Sequence, residues 1–294
     1  MKLFYDETYS PHSATFDTHA KARLVAERAR ELPGLDIVSP RPATAPELNS
    51  IHDERYVEAI LTGRPEDLAS SNGFSWSPAL RDSILASTGG VRDAVLTALA
   101  SGGVAGSLSS GLHHASYRRG QGFCSVNGLV LGARAALGAG AARVLIIDFD
   151  AHCGGGTASM ISGVAGVEQI DVSVSSYDQY INTDNARLWM SNGQNYLRDV
   201  NNALESVHAP DSVDLVLYNA GVDAHEHAGG VSGVTTDVIR RREHRVTEWC
   251  HSHGLPVAFV LAGGYSGGEF AMGNVADLHL LLVDAARQVT KVDS

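Results

Sequence analysis

The sequence is poor in cysteine and lacks a long apolar run. Its three cysteines, at positions 124, 153 and 250, form no CxxC pair, which excludes a disulfide framework and zinc-finger spacing and predicts a reducing compartment. No apolar stretch approaches the roughly 20 residues that cross a bilayer, and the start, MKLFYDETYS, lacks the basic and apolar regions of a secretory signal. These absences predict a soluble, cytoplasmic protein with no membrane partner.

Basic residues are also scarce. There are 22 lysines and arginines against 33 acidic residues, which gives a net charge of −11. Because phosphate binding requires a basic surface, this balance argues against a nucleic-acid partner. It is compatible with an amine-bearing ligand, although solubility alone explains it equally well. With only nine prolines and no Pro-rich linker, repeat or low-complexity tract, the chain is predicted to form one domain over residues 1–294.

Short β-branched runs alternate with longer amphipathic stretches along the chain. This alternation is typical of βαβ units and predicts a single-domain, three-layer α/β/α fold with a mainly parallel central sheet. The predicted strands are residues 104–108, 143–148, 168–174, 213–219 and 256–262. The predicted helices are residues 20–32, 78–100, 127–137, 194–207 and 236–252. In the second of these helices, Gly89 and Gly90 indicate either a break or a close contact.

Polar residues gather where the predicted strands end. In open parallel sheets, ligands bind outside the carboxyl ends of the strands, so side chains from different strand ends meet in one crevice. Four strand ends contribute such residues: His113 and His114, then Asp148 to His152, then Asp223, then Tyr265. The sequence therefore predicts one polar site at this edge of the sheet.

The segment VLIIDFDAHCGGGT places ionisable residues at every second position of a strand end. Asp148, Asp150 and His152 therefore point to the same side, where burial would be costly without a counter-charge. Carboxylate and imidazole ligands suit Zn²⁺ or Fe²⁺ and leave a position for substrate. Asp223, in NAGVDAHEHAGG, is the best candidate for the third ligand. The alternative is that these side chains only cap turns and neighbouring helices.

The motifs together resemble the histone deacetylase and acetylpolyamine amidohydrolase family, in a divergent, bacterial-type form, within the arginase/deacetylase-like fold. The matching segments follow the family's order: GLHHASYRRGQGFCSVNGLVLGARAAL, VLIIDFDAHCGGGT, NAGVDAHEHAGG and LAGGY. The resemblance runs from about residue 77 to near the C-terminus, with a weaker match before it. It implies a zinc-dependent amidohydrolase that removes an acyl group, most often acetyl, from an amine.

The resemblance implies a role for each matching residue. The metal ligands would be Asp150, His152 and Asp223. The catalytic residues would be His113, His114, Tyr265 and Asp148, of which Asp148 accepts a hydrogen bond from His113. The residues lining the substrate channel would be Gly122, Phe123, Tyr177 and Gly264. A structural potassium ion would be held by Asp148, Asp150, His152, Ser173 and Val174.

Amide hydrolysis explains why such residues belong together. Zn²⁺ lowers the pKa of water and polarises a carbonyl, and a histidine, here His114, takes and returns the proton while His113 supplies an electrostatic neighbour. The Tyr265 hydroxyl donates to the developing oxyanion. Flexible glycines on both sides of Tyr265 would let it move into place.

Two positions and one loop depart from the family pattern. Gly155 stands where the family has an Asp or Asn that supports the second histidine, so His114 is either less fixed or oriented by another group. Leu112 replaces a glycine before the histidine pair. The loop VSVSSYDQYINTDN lacks the usual histidine and aromatic-glycine turn, and its Asp178 and Asp184 are either plain loop residues or contacts for a cationic substrate. The altered rim favours a small acylated amine over acyl-lysine in a protein.

The remaining titratable residues are expected to have structural roles. Because side chains alternate along a strand, Cys153 is expected to point away from the metal and to pack against neighbouring residues. His225 and His227 are expected on the rim, with His225 behind the ligand Asp223. Surface or packing roles are expected for His208, His244, His251, His253 and His279.

Two alternative functions and one mode of assembly are also considered from the sequence. A ureohydrolase at a dimanganese centre is disfavoured, because the DAHxD pattern fails at Gly154. A metal-binding or ligand-sensing relative without catalysis is motivated by Gly155 and Leu112, but all the ligands, both histidines and Tyr265 are retained. A homo-oligomer, with a partner subunit shaping the entrance, is left open.

Overall fold

The computed structural model describes residues 1–10 and 20–292, and its eight strands form one sheet in the order β2-β1-β3-β8-β7-β4-β5-β6. Every adjacent pair is parallel. The strands are β1 (Lys2–Phe4), β2 (Asp36–Val38), β3 (Val104–Ser107), β4 (Val144–Asp148), β5 (Val167–Ser173), β6 (Ala186–Met190), β7 (Leu215–Asn219) and β8 (Val257–Val260). The predicted parallel sheet is therefore confirmed.

The described residues form ten α-helices around the sheet. They are α1 (Ala20–Ala29), α2 (Ala45–Asn49), α3 (Glu54–Thr62), α4 (Glu66–Ala69), α5 (Pro78–Ser101), α6 (Gly128–Gly138), α7 (Gly155–Ile161), α8 (Tyr196–Glu205), α9 (Thr236–Ser252) and α10 (Met272–Val292). None of these helices is long and apolar enough to span a membrane.

The two faces of the sheet are covered by different helices. Leu145, Ile147 and Phe149 alternate along the chain and join an apolar cluster with residues of α1, α8, α9 and α10. Val144 and Ile146 point to the opposite face and join a cluster with residues of α5, α6 and α7. Complete burial of each such side chain contributes about 1.5–3 kcal/mol. The predicted three-layer α/β/α arrangement is therefore confirmed.

The elements that the sequence pattern missed are mostly short or lie at the edges of the sheet. Both β1 and β2 have three residues, and β6 is only partly buried, so none shows a long apolar run. Helix α7 begins with two glycines, which are poor helix formers. The first predicted helix, residues 20–32, ends at Ala29 in the structure, and residues 30–32 form a turn.

The glycine pair in α5 marks a close contact and not a break. The helix runs without interruption from Pro78 to Ser101. A Cβ atom at Gly89 would lie 2.0 Å from the Arg41 carbonyl oxygen, and one at Gly90 would lie 1.8 Å from the Tyr9 hydroxyl. The pair therefore lets the N-terminal segment of the chain pack directly against the helix backbone.

Candidate active site and metal centre

Four strand ends lie at the same level of the sheet and carry the predicted site residues. Asp148 of β4 is in register with Asn219 of β7. Asn219 is in register with Val260 of β8, and Val260 pairs with Ser107 of β3. The segments that follow these four residues enter one crevice. The structure thus brings together the polar residues that the sequence places at separate strand ends.

Asp150, His152 and Asp223 form a compact group of ligand atoms. Each offers one atom, and these atoms lie within 4.8 Å of one another. The His152 Nδ1 atom is 3.2 Å from Asp150 Oδ1 and 3.2 Å from Asp223 Oδ2. It is the one group of three such residues found in the part of the chain that the structure describes.

Hydrogen bonds from the backbone orient the two carboxylates. The amide of Gly263 donates to Asp150 Oδ2 at 2.9 Å, and the amide of Ala151 donates to Asp223 Oδ1, also at 2.9 Å. The Asp223 Oδ2 atom is buried and receives no hydrogen bond of good geometry from the described residues. A buried carboxylate oxygen left in this way fits a metal ligand, because a bound cation supplies the missing partner.

The charges of the group also fit a bound cation. Burial raises the pKa of Asp223, and the neighbouring Asp150 carboxylate raises it further. Burial opposes charge on His152, but the two carboxylates outweigh this effect and raise its pKa to about 11. Two carboxylates share a single imidazole in a buried pocket, so the group favours a positive charge at its centre.

The tandem histidines lie side by side next to this group, with different hydrogen-bond partners. Their ring centroids are 3.9 Å apart. His113 Nδ1 is 2.9 Å from Oδ2 of the fully buried Asp148, as predicted. Burial would lower the pKa of His113, but Asp148 and then Asp150 raise it to about 10. Asp148 is itself held by the Asn219 side-chain amide at 2.8 Å.

The partner of His114 is a residue that sequence reasoning did not assign. Its Nδ1 atom is 2.9 Å from Oδ2 of Asp178, in the divergent loop between β5 and β6. From the sequence, Asp178 is either a plain loop residue or a contact for a cationic substrate; in the structure its carboxylate turns towards the histidine pair. Burial and the positive charge of His113 lower the pKa of His114 to about 4, despite Asp178. The missing side chain at Gly155 was the signal that could have prompted a search for this partner.

A buried amide and a buried histidine hold the segment that carries the histidine pair. The Asn127 side chain donates to the carbonyl oxygens of His113 and Ala115, while its own Oδ1 caps α6. His52 donates from Nδ1 to the Ser116 carbonyl and accepts the Asn127 backbone amide at Nε2, 3.1 Å away. Because Nε2 accepts a hydrogen bond while Nδ1 donates one, the two bonds together require the neutral ring.

Because His52 must stay neutral in the folded protein, we expect acid to lower the stability of the fold. Burial lowers the pKa of His52 from 6.5 to about 4, and hydrogen bonds to Tyr117 and Ser116 offset this only partly. Between pH 4 and 6.5 the unfolded chain binds more protons at this site, so the contribution of His52 is complete above pH 6.5 and is lost as the pH falls towards 4. The shift corresponds to roughly 3 kcal/mol.

Urea unfolding at pH 4.5 and pH 7 checks this expectation in the wild type and in His52→Gln, with His208→Gln as an exposed control. The wild type should lose more unfolding free energy on acidification than His52→Gln, and as much as the control. An equal loss in all three proteins would remove His52 from the acid response.

The Tyr265 segment is fixed to the Asp223 segment and to α1. The Tyr265 amide donates to the Ala228 carbonyl at 3.0 Å, and its ring lies against Gly229. Ala262, with a left-handed φ of 56°, turns the chain towards Gly263. The ammonium group of the buried Lys21 donates to the Ala262 carbonyl. Sequence reasoning missed Lys21, although a lysine on the apolar stripe of a predicted helix was a signal for it.

The predicted channel residues lie at the mouth of the crevice, with one exception. The inner pocket is lined by both histidines, Phe123, Tyr265 and two of the three ligand residues, Asp150 and His152. The Tyr177 ring meets the His114 ring edge-on at 4.9 Å, and Gly122 and Phe123 have left-handed φ values of 51° and 62°. Gly264 does not line this pocket: a Cβ atom there would meet Val222 and Val275 of the core.

The residues predicted to hold potassium are adjacent, but the ion stays a prediction. Ser173 lies at the end of β5, and its hydroxyl donates to Asp171 at 2.6 Å. The amide of Val174 donates to the Ala151 carbonyl, between Asp150 and His152. The Ser173 and Val174 positions are therefore beside the metal-ligand strand, as the resemblance implies.

Other titratable residues lie where the sequence places them. Cys153 is buried, with its Sγ 3.3 Å from the Ser175 carbonyl and 3.6 Å from the Met190 sulfur. His225 is buried behind the Asp223 segment and stacks on Phe270, 5.1 Å between ring centroids. His227 and Asp184 are exposed. Of the five histidines expected at surface or packing positions, His279 is fully buried, below Gly264.

Comparison with known proteins identifies the class to which this fold and site belong. Residues 13–280 match the family model of the histone deacetylase domain. The chain therefore belongs to the histone deacetylase family, and the match extends well before residue 77, where the clear resemblance in the sequence begins. The structure resembles the crystal structure of an HDA15 HD domain, with a TM-score of 0.77 over 98% of this chain and 91% of that chain. At 19% identity, this likeness shows the arginase/deacetylase-like fold alone.

Individual relatives match over different shares of their length. An uncharacterized protein of Picosynechococcus sp. is 33% identical over 255 residues, which is 82% of each chain. Histone deacetylase 2 of Arabidopsis thaliana is 28% identical over 54% of this chain and 43% of its own. The acetoin utilization protein AcuC of Bacillus subtilis is 31% identical over 41% of this chain and 34% of its own. The chain thus spans less than half of these two named relatives.

Proposed function

We propose that the protein is a zinc-dependent amidohydrolase that removes an acyl group, most often acetyl, from an amine. One observation carries the proposal: Asp150, His152, the histidine pair and Tyr265 line a single pocket, and a ligand atom of Asp223 lies within 4.8 Å of those of Asp150 and His152. Each of these groups is needed for amide hydrolysis, and they come from four separate strand ends. Membership of the histone deacetylase family supports the same chemistry.

The ligand group would hold the metal through two carboxylates and one imidazole, a donor set that suits Zn²⁺ and also Fe²⁺. When bound, the ion lowers the pKa of water and polarises the substrate carbonyl. A cation also offsets the charge of the two buried carboxylates, which otherwise repel each other. The ligand group thus accounts for the metal dependence that we propose.

His114 is the group that we assign to proton transfer. Its Nδ1 atom is bound to Asp178, so Nε2 is the nitrogen available to take a proton from the attacking water and return it to the leaving amine. His113, bound to the fully buried Asp148, supports the charge that develops beside it. The different partners of the two rings separate their roles.

Tyr265 is the hydrogen-bond donor to the developing oxyanion. Burial raises the pKa of its phenol, and the nearby Asp223 and Asp150 raise it further, so the hydroxyl keeps its proton. The position of its backbone is fixed by the bond to Ala228. A preorganised donor of this kind stabilises the transition state more than the ground state.

The substrate we favour is a small acylated amine, with acyl-lysine in a protein as the second choice. The mouth of the pocket lies between Phe123 and Tyr177, and Tyr177 comes from the loop that departs from the family pattern. Tyr177 is 44% exposed, which leaves apolar surface at the rim for the chain of an amine. We keep the single-domain and cytoplasmic assignments as expectations.

The test is release of free carboxylate from a panel of N-acylated amines: acetyl-lysine peptides, acetylated polyamines and acetylated amino sugars. Each is assayed with the wild-type protein, after chelation, and after Zn²⁺ or Fe²⁺ is added back. We expect turnover of at least one substrate that disappears with the chelator and returns with the metal. Turnover that resists chelation, or its absence across the panel with one zinc bound per chain, would contradict the proposal.

A further inference from the structure

Asp178 occupies the space that a side chain at Gly155 would need. Gly155 is the first residue of α7, and its backbone is not in the left-handed region that favours glycine. A Cβ atom at Gly155 would lie 2.2 Å from the Asp178 carbonyl oxygen and 2.7 Å from Asp178 Oδ1. Any larger residue at this position would therefore collide with Asp178.

Three hydrogen bonds hold the Asp178 carboxylate. Its Oδ2 accepts from His114 Nδ1 at 2.9 Å and from the Gly156 amide at 3.0 Å, and its Oδ1 accepts from the Gln121 side chain at 3.1 Å. The side chain is only 16% exposed. The carboxylate is therefore fixed in one orientation, against the ring of His114.

The backbone supports this arrangement. Asp178 has a left-handed φ of 59°, a conformation that is uncommon outside glycine and that aspartate and asparagine tolerate best. The preceding carbonyl, of Tyr177, accepts the Cys153 amide at 3.1 Å and so ties the turn to the metal-ligand strand. This last bond does not involve the Asp178 side chain, so the turn should survive replacement of Asp178.

We propose that Asp178 is the positioning residue of His114, and that it supplies from the loop after β5 the carboxylate that the chain lacks at position 155. The carboxylate binds the proton on Nδ1 and thereby leaves Nε2 of His114 free to accept one. The same turn carries Tyr177, whose ring meets His114. A single loop therefore provides both one wall of the pocket and the orientation of the proton-transfer group.

The proposal rests on the amidohydrolase function, and two substitutions of Asp178 test it. The variants are Asp178→Gly, which removes the carboxylate, and Asp178→Asn, which keeps an oxygen that can accept from His114 Nδ1. Both glycine and asparagine suit the left-handed φ of 59° at position 178. Asp184→Gly, in the same loop but exposed, is the control.

We expect Asp178→Gly to lower kcat about 10–100-fold with little change in KM or in the zinc-induced rise of Tm. Asp178→Asn should keep most of the kcat that Asp178→Gly loses, because its side-chain oxygen can still accept from His114, and the control should match the wild type. Wild-type kcat in Asp178→Gly, or an Asp178→Asn variant no better than Asp178→Gly, would overturn the proposal.

A second measurement does not depend on turnover. In ¹⁵N-histidine-labelled protein, the Nδ1–H signal of His114, assigned with a His114→Gln variant, should be protected from exchange in the wild type. It should be lost in Asp178→Gly and kept in Asp178→Asn, and its retention in Asp178→Gly would refute the positioning role. If the wild type hydrolyses no acylated amine, the proposed function fails, and this signal still decides the role of Asp178.

Discussion

Asp223→Asn is expected to abolish both the response to zinc and the turnover of acylated amines. The substitution keeps the size of the side chain and an oxygen that can accept the Ala151 amide, so the local fold should persist. It removes the charge from the buried oxygen that has no other good hydrogen-bond partner. Since a bound metal contributes several kcal/mol of transition-state stabilisation, its loss should lower kcat/KM by about 10³-fold or more.

Thermal unfolding separates this effect from simple damage. In the absence of metal, Asp223→Asn removes one of two buried carboxylates that repel each other, so its Tm should equal or exceed that of the wild type. Added zinc should raise the Tm of the wild type by mass action but not that of the variant. Asp184→Ala, which replaces an exposed aspartate, should behave as the wild type in both measurements. A variant that still gains stability from zinc would exclude Asp223 as a ligand.

Tyr265→Phe is expected to lower kcat by about 10²–10³-fold, the usual effect of removing one oxyanion donor. Phenylalanine keeps the ring packed against Gly229 and the backbone bond to Ala228, so KM should change little. The zinc-induced rise in Tm should also be unchanged, because the phenol is not one of the three grouped ligands.

Steady-state kinetics on the best substrate of the panel check this second expectation. Tyr117→Phe is the matched control, since Tyr117 is 51% exposed and lies outside the pocket. Its kcat should equal that of the wild type. Unchanged turnover in Tyr265→Phe would remove the hydroxyl from the mechanism, whereas a large rise in KM alone would assign it to binding.

The two substitutions thus report on different parts of one site. Asp223→Asn should alter metal binding and turnover together, whereas Tyr265→Phe should alter turnover alone. In a protein that binds a metal or ligand without catalysis, Asp223→Asn would still abolish the zinc-induced rise in Tm. Neither the wild type nor any variant of such a protein would show turnover. Of the two positions that motivated that alternative, Gly155 and Leu112, the first is offset by the Asp178 carboxylate that lies 2.9 Å from His114 Nδ1.

Most of the fold was predictable because local patterns encode it. The five strands predicted from apolar runs are all present, and they include the buried centre of the sheet, β4 and β7. The pattern failed for three-residue strands such as β1 and for the glycine-led helix α7. In those segments tertiary contacts, and not local propensity, determine the conformation.

The candidate metal group was also accessible from the sequence. Alternation along a strand places Asp150 and His152 on one side, and the end of a parallel strand is where ligands bind. The structure adds that Asp223 reaches the same point and that backbone amides, such as that of Gly263, orient the carboxylates.

The sequence by itself determined the α/β class, the parallel central sheet and the strand ends that carry the polar residues, because periodicity and strand parity are local properties. Only the tertiary structure decided which groups support the site. Lys21 reaches the Ala262 carbonyl from α1, 241 residues away in sequence, and Asp178 reaches His114 from a loop with no recognisable motif. Such pairings depend on how distant segments pack in space, and no spacing along the chain encodes them.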